Sequence, residues 1–199
     1  VEGGFGVTPQ QHFNGLRNLL PELRGLAILD NDGRNRQSLL EGPLKIAYWK
    51  RYEAENYFIT PDLLRRYAAS QFPADDLFAQ QTQTAIDEVL DALVLEQVFD
   101  GAQADFAAWK DAGSELSRVL WEAKTERRKL SAFAEEFFRR LAERMAGSLL
   151  LRKGELHRLV ALVPPDAIVA EVKEKLDLLA SVFPNPGDDA SEVARAVVE

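Results

Sequence analysis

Cysteine is absent from the chain and histidine nearly so, with only His12 and His157 present. The first absence excludes disulfides, thiolate zinc sites and thiol nucleophiles, and the second leaves any metal chemistry to rest mainly on carboxylates. No apolar stretch approaches the roughly 18 to 20 uncharged residues of a membrane span, and the first residues show neither a basic leader nor the apolar stretch of a signal peptide. The chain therefore reads as cytosolic, with no membrane partner. No GxxxxGK[ST] occurs, which excludes a P-loop for nucleotide phosphates. Internal repeats and low-complexity blocks are also missing.

The 199 residues are 46% hydrophobic, enough to bury the core of one domain or two small ones. The net charge of −8 argues against a protein that coats nucleic acid indiscriminately. Local contacts stay open, because the positive charge is clustered in RNR (34–36), KR (50–51), ERRK (126–129), FFRR (137–140) and LRK (151–153). Such clusters can track a phosphate backbone, although lysine and arginine more commonly solvate the outer faces of helices.

The stretch LAILDNDGR (26–34) opens as an apolar strand and ends on two carboxylates. GLAIL is short and branched enough for a strand buried on both faces of an α/β sheet. In such sheets ligands bind beyond the carboxyl ends of the strands, and Asp30 and Asp32 are hard oxygen donors suited to Mg²⁺ or Mn²⁺. The alternative is that DNDG simply stops a strand, since Asx side chains bond nearby amides and Gly33 tolerates positive φ.

Along the chain, Val1 to Phe5 is expected as a strand and GGFG as its flexible turn. Thr8-Pro9-Gln10-Gln11 supplies a cap, a first-turn proline and a capping-box glutamine for a helix to about Leu23, with Phe13, Leu16, Leu19, Leu20 and Leu23 on its apolar side; Pro21 is positioned to end it early. Strands at Leu26–Leu29 and Leu44–Trp49 follow, then an extended piece around Asn56 to Ile59. A helix starts at Thr60-Pro61-Asp62. Residues 75–147 carry helical periodicity through Ile86, Leu90, Leu93, Val94, Phe106, Trp109, Leu116, Leu130, Phe133, Phe137 and Leu141, predicting about three helices broken near Phe99-Asp100-Gly101 and Thr125. A helix pair follows Lys153 and Pro164-Pro165, and a mobile tail starts at Pro184. The expected divisions are 1–72 (α/β portion), 73–148 (helical subdomain), 149–183 (helices returning to the α/β site) and 184–199 (tail).

Glu53 and Glu55 lie just past the second strand and would share its carboxyl edge if the strands are neighbours. Locally, EAEN also reads as a solvated loop in which Asn56 makes an Asx turn. Lys153, at a helix entrance in LLLRKGELHRL, could neutralise phosphate or be an ordinary surface lysine. His157 follows it by four residues, on one face of an α-helix. His12 reads as a face residue of the first helix, and Trp109, Trp121 and the phenylalanines of 133–138 as core.

LAILDNDGR, then LKIAYWKRYEAENYFITPDLL, then RKGEL together resemble the Toprim nuclease domain of the overcoming-lysogenization-defect (OLD) family of ATP-dependent endonucleases. The likeness covers roughly residues 1–67 and 149–162 and leaves the helices between unmatched. It implies a Toprim-like parallel sheet interrupted by a large helical insertion, and cleavage of DNA phosphodiesters with Mg²⁺ or Mn²⁺, two ions being expected. By position, Asp30 and Asp32 would hold a metal, Glu55 would hold or orient a second, and Lys153 would stabilise the transition state. A role in phage defence and a homodimer are compatible with it. The family pattern also has a glutamate ending the first strand. Glu2 in Val1-Glu2-Gly3 lies too close to Asp30 for that role, since the intervening elements need about 40 residues. That strand and the ATPase domain are therefore expected upstream, with a shortened domain using Glu2 as the alternative. A non-catalytic docking or dimerisation module is the competing function; a phosphoacceptor site of receiver type ranks last, for want of later strands.

Overall fold

The computed structural model describes residues 8–34, 36–72, 79–145, 147 and 150–183. The expected strand Val1 to Phe5, its turn and the tail from Pro184 lie outside the described residues. The chain divides into two compact units, residues 1–50 with 169–199, and residues 51–168. Its class is mixed α/β, mostly helical, with a two-stranded parallel sheet among the described residues.

In the first unit, helix α1 (Pro9–Arg17) begins as its sequence dictates. Thr8 Oγ1 accepts from the Gln11 amide at 3.2 Å, and Gln11 Oε1 accepts from the Thr8 amide at 3.0 Å. The helix stops well before Leu23. Pro21 has no N–H and disfavours the helical conformation in the residue before it, and the Arg17 guanidinium donates to the Pro21 carbonyl at 2.7 Å. Of the expected apolar side, Phe13 is buried, whereas Leu16, Leu19 and Leu20 are exposed. Phe13 lies over Gly25, where an added Cβ would sit 2.9 Å from its ring.

Strands β1 (Gly25–Leu29) and β2 (Leu44–Tyr48) pair in parallel, Gly25 opposite Leu44 and Leu29 opposite Tyr48. Helix α7 (Ala170–Val182) packs on β1. Its Glu171 carboxylate accepts from the Lys50 amide at 2.8 Å, and the Lys175 ammonium lies 6.0 Å from the Trp49 ring centroid. On the outer side of β2, Leu39 and Ile46 exchange backbone hydrogen bonds at 2.7 Å. The expectation that GLAIL is buried on both faces is not met, since β1 is half-buried along its whole length.

The second unit is helical. The Thr60 hydroxyl accepts from the Leu63 amide at 3.2 Å, starting α2 (Pro61–Ser70) with proline in its first turn. Then come α3 (Ala79–Gln97), α4 (Gln103–Asp111), α5 (Ser114–Thr125) and α6 (Leu130–Arg144). The expected breaks near Gly101 and Thr125 are present, and a further one at Ala112-Gly113 makes four helices, among the described residues, from a stretch expected to hold about three. Leu64, Ile86, Leu93, Phe137, Phe138 and Leu159 are fully buried in one core, each such side chain contributing roughly 1.5–3 kcal/mol. Trp121 and Phe133 are buried with it and Trp109 packs against it. Leu116, expected inside, is exposed. Because Ile59, Leu64, Leu151 and Leu156 share this core with α3 and α6, the units divide at 50/51 and 168/169 rather than at the expected 72/73 and 148/149.

Two local expectations are corrected. The piece around Asn56 to Ile59 is not extended: Ala54–Tyr57 forms a 3-10 helix. Lys153–Leu162 is also a 3-10 helix, in which residues three apart eclipse and residues four apart do not. Lys153 and His157 therefore do not share a face.

Candidate functional site

Parallel pairing in register brings the two strands to their carboxyl ends at the same level, where the Trp49 amide donates to the Leu29 carbonyl at 3.0 Å. Asp30 is the next residue after β1 and is exposed. Beyond it, the Arg34 amide donates to the Asn31 carbonyl at 2.9 Å, closing a four-residue turn. Its central residues, Asp32 and Gly33, have φ of +49° and +70°, the left-handed pair of a type I′ turn that Asp-Gly favours. Asn31 fastens this turn to the end of the neighbouring strand: its Nδ2 donates to the Lys50 carbonyl at 3.0 Å, and its Oδ1 accepts from the Arg36 amide at 3.4 Å. Arg36 lies over the Tyr48 ring at 5.4 Å. Asp30 and Asp32 thus flank one residue of a tethered loop at one sheet edge. As exposed hard oxygen donors their chemistry fits a hydrated divalent cation.

Glu55 and Lys153 belong to the second unit. Glu55 is half-buried within the 3-10 helix, and its carbonyl accepts from the Ile59 amide at 3.0 Å. Lys153 is exposed as the first residue of the later 3-10 helix, whose start is closed by Glu155 accepting from the Arg152 amide at 3.0 Å. His12 and His157 are exposed. Among the described residues, no three His, Asp or Glu side chains gather as a metal-holding group.

The residues on either side of Glu55 have a role that sequence reading missed. EAEN is not a solvated loop: Glu53 and Asn56 are each 4% exposed. Glu53 Oε1 accepts from the Ser131 amide at 2.5 Å and Oε2 from the Ser131 hydroxyl at 3.0 Å. Asn56 Nδ2 donates to the carbonyls of Thr125 (3.0 Å) and Arg128 (2.9 Å), and Oδ1 accepts from the Leu130 amide at 3.4 Å. The Tyr52 amide donates to the Glu126 carbonyl at 3.1 Å. Together these bonds latch residues 52–56 onto the α5–α6 turn. Burial pushes the Glu53 carboxyl above the ordinary glutamate range; the Ser131 hydrogen bonds oppose this, and the Glu55 charge adds to it. A glutamate and an asparagine three apart, between aromatic residues, are the local signal, but their partners are far along the chain.

Among the described residues, no helix is long and apolar enough to cross a membrane. Compared with protein-family models, curated proteins and solved structures, the chain matches none.

Proposed function

We propose that the protein is a metal-dependent DNA endonuclease of Toprim type, similar to the nuclease part of the OLD family and working beside an ATPase domain. The observation that carries the proposal is the in-register parallel pairing of β1 and β2, which sets Asp30-Asn31-Asp32 at a carboxyl edge, where α/β sheets bind ligands. Asp30 and Asp32 supply oxygen ligands from the first unit, and Glu55 holds or orients a second ion. Lys153 offers its ammonium to the negative charge that develops on the phosphoryl oxygens. Divalent ions bound by such carboxylates polarise a phosphoryl oxygen, activate water and steady the leaving oxygen.

The test is nicking of supercoiled plasmid in Mg²⁺ and in Mn²⁺ by the protein and by the Asp30→Asn/Asp32→Asn variant. Asparagine tolerates the left-handed backbone at position 32, so the variant keeps the turn while losing both charges. Loss of nicking in a folded variant, exceeding the roughly 10–100-fold that removal of a metal's outer-shell partners costs, is expected for removal of the ligands themselves. Equal activity of the two proteins, or none from either, overturns the proposal.

A second function has one observation in its favour. The Asn31–Arg34 turn is closed by its own hydrogen bonds and tied to Lys50, which accounts for the conformation of DNDG without a cation. It would serve a non-catalytic interaction module, in which Asp30→Asn leaves function unchanged.

A further inference from the structure

We propose that Arg127 and Lys129, on the turn between α5 and α6, hold the phosphate backbone of duplex DNA alongside the segment that carries Glu55. The inference rests on the nuclease proposal and extends it to how an acidic chain grips its substrate. With a net charge of −8, long-range attraction to DNA is unfavourable, so binding is served by cations that are locally concentrated, exposed and carried on a tethered backbone.

The ERRK turn meets all three conditions. Residues 126–129 place three cations in succession, and Arg127 and Lys129 are exposed. Arg128 is committed elsewhere: it donates to the Asp100 carboxylate at 2.7 Å, the Gln97 carbonyl at 2.5 Å and the Lys124 carbonyl at 3.1 Å. Arg127 makes no side-chain hydrogen bond or ion pair among the described residues. Among the described residues, Lys129 has a single distant carboxylate, Glu53 Oε2 at 4.0 Å.

The turn is also rigid for its position. The backbone of 125–131 is held from beneath by Glu53, Asn56 and Tyr52. The same bonds fix Glu55, which stands between Glu53 and Asn56 in sequence. The basic turn and the candidate ligand therefore move as one body, with their spacing set before substrate arrives. Preorganisation of this kind lowers the ordering cost of binding. A turn needed only to join two helices could be closed by apolar packing, without the desolvation of a buried carboxylate.

The experiment measures anisotropy of a short fluorescent duplex in EDTA across a KCl series, alongside plasmid nicking in Mg²⁺. The proteins are the wild type, Arg127→Ala/Lys129→Ala, and an equal-charge control, Arg24→Ala/Lys173→Ala. Arg127→Gln alone, which breaks no described side-chain contact, guards against misfolding of the double variant. We expect the slope of log affinity against log salt to fall by about 2 in the double variant and by about 1 in Arg127→Gln, with the control unchanged. In nicking, KM should rise while kcat is kept. If the wild type nicks and binds but the variants keep its slope and affinity, the inference is overturned and the nuclease proposal stands. If the variants lose slope in a protein that binds without nicking, the phosphate contact stands and the nuclease proposal falls. A wild type that neither binds nor nicks overturns both.

Discussion

Asn56 shows how much one side chain can be asked to do. It closes two carbonyls and one amide of the α5–α6 turn, and Asn56→Ala leaves all three without this partner. Since stranding a buried polar group costs about 1–3 kcal/mol, a loss of about 2–4 kcal/mol is expected, read as a lower urea midpoint with an unchanged slope. Glu53 predicts a pH effect. Its folded pKa is raised from the usual 4.5, chiefly by burial, so the folded state holds the proton more tightly than the unfolded one. Its contribution to stability is fully present below about pH 4.5 and declines as pH rises through the raised value. Glu53→Gln should remove that slope, so the stability of the wild type relative to the variant falls between acid and neutral pH. The Asp-Gly turn was legible at this scale, because left-handed backbone belongs to those residue types. The latch was not, since Glu53 and its partner Ser131 are 78 residues apart.

The seam between α1 and β1 has little slack. Gly25→Ala would place a methyl 2.9 Å from the Phe13 ring and 3.2 Å from Leu44 Cδ1. Overpacking of this sort costs about 1–3 kcal/mol, measurable as a lowered Tm. In the second unit, Phe137 is fully buried and Phe137→Ala should cost about 3–5 kcal/mol. Periodicity and capping found the elements whose apolar faces are continuous, namely both strands, α2, α3 and α6. They failed where packing chooses between similar backbones. Nothing local in AENY or KGELHRLVAL separates a 3-10 helix from an extended piece or an α-helix, and α1 ends at Arg17, short of Leu23, ahead of the proline that disfavours helix in the residue before it.

Across the molecule, charge organises the helical unit from outside. Glu136 receives Arg139 and Arg140, Arg140 reaches on to Glu96, and Arg139 also pairs with Glu143. Hydrogen bonds from the two arginines hold the Glu136 carboxyl down at about 2. A depressed folded pKa stabilises above the unfolded value of 4.5, and that stability is lost as pH falls toward 2. Thermal melts between neutral pH and pH 2 should therefore show a steeper acid decline in the wild type than in Glu136→Gln, and added salt should narrow the gap.

The division into units also sets an order of assembly. The second unit is one uninterrupted stretch, 51–168, whereas the first draws on residues 1–50 and 169–199. During synthesis every residue of the helical unit leaves the ribosome before α7, which covers β1 and whose Glu171 accepts from Lys50. The carboxylate-bearing sheet edge thus waits, half-built, while every residue of the larger unit has already been made. A released chain truncated before Ala170 should protect the described residues of 51–168 from protease and leave 8–50 open to it.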